Sequence, residues 1–299
     1  MWHVKAWGVS RVTKYRIGID GGGTHCRGRL VDSQGNLLAE CSGGTGNVYS
    51  HYESALCEME NVITELFTLA NLPINEYGDS TLVAGLAGAN VPSVIQRLTE
   101  WRIPGLRHKI VSDVETACFG AHQGEPGAIF ICGTGSQGAA WDGHRFQLMG
   151  GWGFMLSDLA SGAILGQKAL RMALLAHEGI IVGTPCMRHI MSIFQDNAEK
   201  MLLWTQQAQP KDWAHYAKVV FDYARLDDCH ALGLVKQCAA EAEAMIKALI
   251  HSSFSDIALL GGLAKPITPW LSDEVRKQLI EPRGDALDGA ILLAKRLWG

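Results

Sequence analysis

The 299-residue sequence predicts an α/β protein built as two domains on one plan. Three observations predict it. A strand, glycine loop, strand, tight turn, strand pattern occurs twice, with Gly21 to Thr24 aligning without a gap on Gly133 to Ser136. Strand and helix periodicities alternate after the first copy, and a long helical stretch and a further strand follow the second. The length also suits two domains at about 100–200 residues each.

In the first copy, Tyr15 to Ile19 forms a strand and Asp20-Gly21-Gly22-Gly23-Thr24 a loop. His25 to Val31 forms a second strand, Asp32 to Asn36 a turn, and Leu37-Leu38 a third strand. Glu40 to Ser50 (ECSGGTGNVYS) has loop composition. His51 to Leu72 carries Leu56, Met59, Ile63 and Leu66 on one helical face. Ser80 to Leu86 reads as a buried strand ending in a turn at Ala87 to Asn90. Pro92 to Trp101 is a short helix with proline at its start. Arg107 to Val111 is a strand, and Glu115 to His122 a helix. The break at Gly124-Glu125-Pro126-Gly127 sets the expected boundary, giving an extension over 1–14 and domains over 15–123 and 124–299. In the second copy, strand Ala128 to Ile131 leads through Cys132-Gly133-Thr134-Gly135-Ser136 to Gln137–Trp141, Asp142-Gly143 and Arg145–Leu148. From Leu159 to about Ile250 the chain reads as helical, broken at Gly183-Thr184-Pro185 and Gln209-Pro210. Asp256 to Leu260 is a last strand and Asp285 to Trp298 a last helix.

Composition narrows the function. The net charge of −4 without a basic run argues against general nucleic-acid binding, which needs clustered Lys and Arg. No apolar run reaches the roughly 18 residues that span a bilayer, and residues 1–11 lack the apolar core of a signal peptide. The eight cysteines form no C-x-x-C pair and fit free thiols in a reducing cytoplasm.

The chemistry-bearing residues cluster at loops. Consecutive backbone N–H groups in a glycine turn make an anion-binding concavity, so two such loops read as two jaws for one polyphosphate. Gly133 to Gly138 also matches G-x-G-x-x-G, but that fingerprint requires a helix directly afterwards. Gln137 to Trp141 leads into a hairpin turn instead, which excludes a dinucleotide fold. No glycine loop ends in G-K-S or G-K-T, so phosphate binding rests on backbone N–H and hydroxyl donors. Asp20 opens the first loop, either shaping its turn or serving Mg²⁺, which takes one or two carboxylates with phosphate oxygens. Asp113 follows a strand and opens a helix; spacing alone leaves it as helix cap or general base. Gly150 to Asp158 (GGWGFMLSD) offers glycine backbone, one indole face and a carboxylate, a set suited to a pyranose, although Asp158 could cap a helix starting at Leu159. His25 beside the first loop reads as incidental. The small residues Asp285-Ala286 and Gly289-Ala290 read as a packing face.

Repeated halves of this kind describe the ribonuclease-H-like architecture of actin and sugar kinases, with a cleft between the domains. The chain resembles N-acetylglucosamine and glucosamine kinases in the family of ATPases that activate benzoyl-CoA reductase and 2-hydroxyglutaryl-CoA dehydratase. The resemblance rests on GIDGGGT (18–24), the Asn47 loop, Asp113, GTGS (133–136), GGWG (150–153), SD-x-x-SG (157–162) and LLGG (259–262), and runs from Tyr15 to the C-terminus. It implies an ATP- and Mg²⁺-dependent amino-sugar kinase acting at the 6-hydroxyl. It implies Asp113 as catalytic base, Asp20 on the metal side through water, and phosphate or nucleotide contacts from Gly22, Gly23, Thr24, Gly133, Thr134, Gly135, Ser136, Gly261 and Gly262. It implies sugar contacts from Asn47, Gly88, Asp113, Gly151, Trp152, Gly153 and Asp158. Some relatives carry an acidic residue where this chain has Leu159, and GGWG is closer to the acetyl-sugar members, so the expectation leans to N-acetylglucosamine over glucosamine. The expected partners are the sugar and ATP, with neither nucleic acid nor membrane and with a homodimer left open. Two other readings stand beside this one. An activator ATPase of a radical dehydratase would need an iron–sulfur cluster. A sugar-sensing regulator would need a basic helix-turn-helix that the residues before Tyr15 cannot contain.

Overall fold

The computed structural model describes residues 13–23, 25–103, 106–250 and 256–299. Most of the expected N-terminal extension, and Thr24 of the first glycine loop, lie outside them. In chain order the elements begin β1 (Tyr15–Gly21), β2 (Cys26–Asp32), β3 (Leu37–Gly43), α1 (Tyr52–Leu69), β4 (Ser80–Leu86), α2 (Pro92–Leu98), β5 (Arg107–Ser112) and α3 (Asp113–Ala121). There follow β6 (Gly127–Cys132), β7 (Ser136–Trp141), β8 (Phe146–Gly150), α4 (Gly162–His177), α5 (Pro185–Ile193), α6 (Ala198–Thr205), α7 (Pro210–Ala224) and α8 (Cys229–Ile250). The chain closes with β9 (Ile257–Leu260), α9 (Ala264–Ile267), α10 (Asp273–Arg276), β10 (Leu279–Ile280) and α11 (Ala286–Trp298).

The duplication seen in the loops extends to the sheets. One has the order β3-β2-β1-β4-β5 and the other β10-β9-β6-β7-β8. With one order reversed they match: three strands consecutive in sequence lie side by side at one edge, and two later strands continue the sheet. In the first sheet β1, β2 and β3 pair antiparallel, while β4 and β5 join parallel to β1. Both meander turns use one device. Asp32 Oδ1 accepts the Gln34 and Asn36 N–H groups at 2.8 and 2.9 Å, and Asp142 Oδ1 accepts those of His144 and Arg145, each at 2.8 Å. Gly35 and Gly143 supply the positive φ that each turn needs, at 94° and 95°.

Two compact units emerge. One holds the chain through Ala128 with Ala139–Gln147 and Glu281–Gly299; the other holds Ile129–Gly138 with Leu148–Ile280. In the first unit, alternation along β1 sends Ile17 and Ile19 into a fully buried core beneath α1. The buried stripe Ala55, Leu56, Met59, Val62, Ile63, Leu66 and Phe67 of α1 closes that core. Each large side chain in it stabilises the unit by about 1.5–3 kcal/mol. α1 lies so close over β2 that a Cβ on Gly28 would stand 2.5 Å from Val62. On the other side of β1, α11 crosses at Gly18, where a Cβ would come within 2.9 Å of the Leu287 carbonyl. α11 also meets α3 backbone to backbone: a Cβ on Gly120 or on Gly289 would lie 1.9 Å from a carbonyl oxygen of the partner helix. Of the small residues expected to form a packing face on α11, Gly289 and Ala290 are buried against α3 and β1, while the Asp285 side chain turns to Arg27 and Arg29.

The second unit contains the helical stretch. Its breaks include two without glycine or proline. Gln195 and Asp196 (φ 57° and 53°) end α5, and Asp227 (φ 59°) ends α7. Polar side chains tolerate this left-handed backbone better than apolar ones, and the composition gave no punctuation there. Asp228 then binds the new segments together, accepting the Cys186 N–H at 2.9 Å and the Ala231 N–H at 3.1 Å. Among the described residues no helix is long and apolar enough to cross a membrane.

Candidate functional site

Three loops of the first unit are laced together at the C-terminal edge of β1 and β4. Ala87 donates to the Gly21 carbonyl at 2.7 Å, Val48 to Ala87 at 3.0 Å and Gly46 to Gly22 at 2.9 Å. Gly46 passes so near that a Cβ on it would lie 2.3 Å from the Gly21 Cα. Asn47 Oδ1 accepts the Tyr49 and Ser50 N–H groups at 2.9 and 3.0 Å, which fixes its amide and leaves the NH₂ as donor. Gly88, at φ 83°, sits against the same residues; a Cβ there would be 2.5 Å from Tyr49 Cβ and 3.2 Å from Asn47 Oδ1. The structure therefore gathers Asp20, Gly22, Gly23, Asn47 and Gly88. Space around the two loop glycines is open. A Cβ on Gly22 would meet its nearest neighbour at 3.5 Å, and one on Gly23 would meet nothing within 4 Å.

Asp113 joins this edge. Asp20 is in register with Gly85 of β4, and Gly85 with Val111 of β5, two residues before Asp113. Its helix is capped by Ser112, not by Asp113. Ser112 and Glu115 form a reciprocal capping box, with the Ser112 N–H donating to Glu115 Oε2 at 2.7 Å. Asp113 is the first residue inside α3, and its Oδ1 accepts the Val114 N–H at 3.0 Å and the Ser112 hydroxyl at 3.2 Å. Burial, helped by the negative charge of Asp20, pushes its pKa up to about 6. The two hydrogen bonds oppose that rise. A carboxyl poised there, with no described residue donating to Oδ2, suits proton abstraction near neutral pH.

Asp20 is held differently. Arg27 binds its Oδ2 at 2.6 Å through Nη2 and at 3.2 Å through Nε. No described residue donates to Oδ1. A carboxylate oxygen left open beside a glycine loop matches the donor that Mg²⁺ takes alongside phosphate oxygens and waters. Among the described residues there is no cluster of three or more His, Cys, Asp and Glu side chains fit to enclose a metal.

In the second unit the glycine loop turns tightly, with Gly133 donating to the Gly135 carbonyl at 2.9 Å. The first turn of α4 grips it: Gly162 donates to the Gly133 carbonyl at 2.7 Å and Ala163 to that of Thr134 at 3.1 Å. The Ser136 hydroxyl donates to the Leu159 carbonyl at 2.6 Å. Thr134 is exposed, and its hydroxyl bonds to no described residue. Gly261, at φ 93°, lies against β6, where a Cβ would be 2.4 Å from the Cys132 carbonyl; Leu263 donates to that oxygen at 3.0 Å. Gly262 adjoins Gly133.

Asp158 lies under this loop, buried, in left-handed backbone at φ 64°. Its carboxylate accepts the Ser136 N–H and comes within 3.0 Å of where a Cβ on Gly135 would stand. Burial raises its pKa. It caps no helix, because α4 begins at Gly162 and is capped by the Ser161 hydroxyl. Gly151, at φ 75°, faces Gln137: a Cβ there would be 2.4 Å from Gln137 Cδ. The Gln137 Nε2 is buried without a hydrogen-bond partner. Sequence reasoning passed over Gln137; its position directly after Ser136, on the strand leaving the loop, was the available signal. Trp152 is 58% exposed and Gly153 opens onto free space.

Comparison with known proteins bears on these two halves. The chain is 34% identical over 280 residues to the glucosamine kinase GspK of Vibrio cholerae, covering 94% of this chain and 95% of that one. It is 27% identical over 308 residues to an N-acetylmuramic acid/N-acetylglucosamine kinase of Clostridium acetobutylicum, covering 94% and 98%. A solved structure from Chromobacterium violaceum, provisionally described as an N-acetylglucosamine kinase, superposes with a TM-score of 0.85 at 32% identity over 94% of this chain and 99% of that one. The model of the BadF/BadG/BcrA/BcrD ATPase family matches residues 17–294. The chain belongs to that family.

Proposed function

We propose that this protein is an ATP-dependent amino-sugar kinase that phosphorylates glucosamine or N-acetylglucosamine at the 6-hydroxyl. The observation that carries the reading is Asp113: a strand-end carboxyl, relieved of capping by Ser112 and raised to about 6. A hydroxyl attacking a γ-phosphate needs such an acceptor for its proton. Whole-length similarity to kinases of these sugars supports the same reading.

The roles follow from the two half-sites. Asn47, the Gly88 backbone and Asp113 bind the sugar, and Asp113 takes the proton of the attacking hydroxyl. Gly22, Gly23 and Thr24 bind phosphate from the first unit; Gly133, Thr134 and Gly135 do so from the second, while Ser136, expected with them, spends its N–H on Asp158 and its hydroxyl on the Leu159 carbonyl and so only shapes the loop. Gly261 and Gly262 leave room for the adenosine. Gly151, Trp152, Gly153, Asp158 and the unpartnered Gln137 amide complete the sugar side. Asp20 would hold Mg²⁺ through water, and the ion would supply charge neutralisation to the phosphates. The eight unpaired thiols fit a reducing cytoplasm. Assembly as a homodimer belongs to the same proposal.

The test is ATP-coupled turnover with glucosamine, N-acetylglucosamine, N-acetylmannosamine, glucose and muramic-type sugars. The expected result is turnover confined to the first two, with the phosphate on O6 by NMR. ATP hydrolysis indifferent to every sugar, together with protein-bound iron and acid-labile sulfide, would instead support the activator-ATPase reading.

A further inference from the structure

Arg27 faces Asp20 across the antiparallel β1–β2 register, on the side of the sheet away from the α1 core. Its fork closes on one oxygen only. Nε and Nη2 both donate to Asp20 Oδ2, and Nη1 reaches Asp285 Oδ2 at 3.4 Å. Asp285 caps α11. Its Oδ1 accepts the Asp288 N–H at 3.0 Å, and Asp288 Oδ2 accepts the Asp285 N–H at 3.0 Å. Arg29, the next arginine on the same face of β2, binds Asp288 and Glu40 and touches Asp285 at 3.5 Å. Arg27 is thus a crossbar from the loop carboxylate to a helix cap. That cap sits on the helix fixed against β1 at Gly18 and against α3 at Gly120 and Gly289.

An exposed ion pair would be worth about 0–1 kcal/mol and need no further role. Two features separate this one from that case. The fork binds a single carboxylate oxygen, and no described residue donates to the other. The guanidinium is also anchored at its far end, so its place does not depend on the flexibility of a free arginine.

We propose that Arg27 is a positioning residue for phosphoryl transfer: a resident cation that neutralises Asp20 and presents Oδ1 to the metal of the bound nucleotide. The proposal rests on the kinase reading above. With Arg27 in place, nucleotide phosphates approach a carboxylate whose charge is already balanced. Without it, a bare carboxylate faces the phosphates until a metal arrives, and Coulomb repulsion over several ångströms weakens metal-free binding about tenfold.

The experiment is calorimetric titration of ADP, with and without Mg²⁺, into the wild type, Arg27→Gln, Arg27→Lys and Asp285→Asn, each checked for a native melting transition. Arg27→Gln is expected to weaken metal-free ADP about tenfold while leaving Mg–ADP within about threefold. Arg27→Lys keeps the charge without the fork, so metal-free affinity stays near wild type while kcat falls. Asp285→Asn keeps the helix cap, since asparagine caps as well as aspartate, and removes a negative charge beside Arg27, so metal-free ADP should tighten slightly, opposite in direction to Arg27→Gln. If Arg27→Gln left the ratio of the two affinities unchanged, whether by weakening both equally or neither, the proposal would be overturned while the kinase reading stood. If the wild type bound no ADP under either condition, the nucleotide reading would fail and take this proposal with it.

Discussion

The two copies of the glycine-loop hairpin share a backbone and differ in where they put charge. The first strand of copy one ends in Asp20-Gly21, that of copy two in Cys132. Asp20 is an exposed-edge carboxylate paired with Arg27, whereas Cys132 is a buried thiol pushed up to about 12, neutral at any physiological pH. β2 carries Arg27 and Arg29; β7 (SQGAAW) has no ionisable side chain. Copy one adds the perturbed Asp113 from the end of β5, and copy two only the buried Asp158. The loops are tied to different partners: Gly22 to His25 and Gly46, and Gly23 to the Thr45 hydroxyl, but Gly133, Thr134 and Ser136 to α4 and Leu159. One device thus carries two charge patterns, which the proposed kinase reading assigns to two tasks: proton and metal handling in copy one, phosphate binding in copy two.

The largest effect should come from the charged half. Asp113→Asn is expected to lower kcat by about 10²–10⁴-fold with ADP affinity nearly unchanged, since only the general base is lost. The same change should stabilise the protein. A carboxyl whose pKa is about 6 folded and near 4 unfolded favours the native state when protonated, so its contribution is lost as pH rises through that window. At pH 7.5 the neutral amide should melt higher, by an amount on the order of 1–3 kcal/mol; a lower melting temperature would contradict the stated burial.

Next comes a contrast of glycines. Gly261→Ala places a Cβ 2.4 Å from the Cys132 carbonyl in left-handed backbone, and should cost about 2–4 kcal/mol in urea unfolding. Gly23→Ala meets nothing within 4 Å and should leave stability within about 0.5 kcal/mol, so any weakening of ADP reports ligand approach. Equal destabilisation by both would contradict the difference in room at the two glycines.

The hydroxyls of copy two sharpen it further. Thr134→Val should weaken ATP by roughly 1.5–3 kcal/mol, as expected for a bond to a charged oxygen, and leave sugar binding intact. Ser136→Ala breaks the bond to the Leu159 carbonyl, so its effect, about 1 kcal/mol, should fall on stability instead. The smallest effect concerns the thiols. Brief alkylation at pH 8 should label the exposed Cys57 and Cys229 and spare Cys132, whose burial suppresses the thiolate.

Much of this fold was legible because its signals are local. The duplicated loop, the aspartate–glycine turns and the strand following GTGS each lie within a dozen residues, so the hairpin could be separated from a dinucleotide-binding turn. The caps were legible and overlooked. Ser112-Asp113-Val114-Glu115 has the S-x-x-E form of a capping box, and Ser161 stands at the true start of α4. The breaks at Gln195–Asp196 and Asp227 were not legible, since polar residues entered left-handed backbone without glycine or proline to mark them. Contacts made only by tertiary folding were equally hidden. Gly120 meets Gly289, and Arg27 bridges Asp20 to Asp285, across more than half the chain. Asp113 could be placed at a strand end from its neighbours, and the S-x-x-E box already released it from capping, but its burial and raised pKa needed the structure.

The most direct test is the pH dependence of kcat/KM for the amino sugar at saturating Mg–ATP, in the wild type and in Asp113→Asn. A buried base raised to about 6 must be ionised to work, so wild-type kcat/KM should fall below about pH 6 along a single ionisation, and the residual activity of Asp113→Asn should lack that limb. An acid limb near pH 4 in the wild type, or one near pH 6 that survives the substitution, would contradict the assignment of proton transfer to Asp113 and, with it, the division of labour between the two copies.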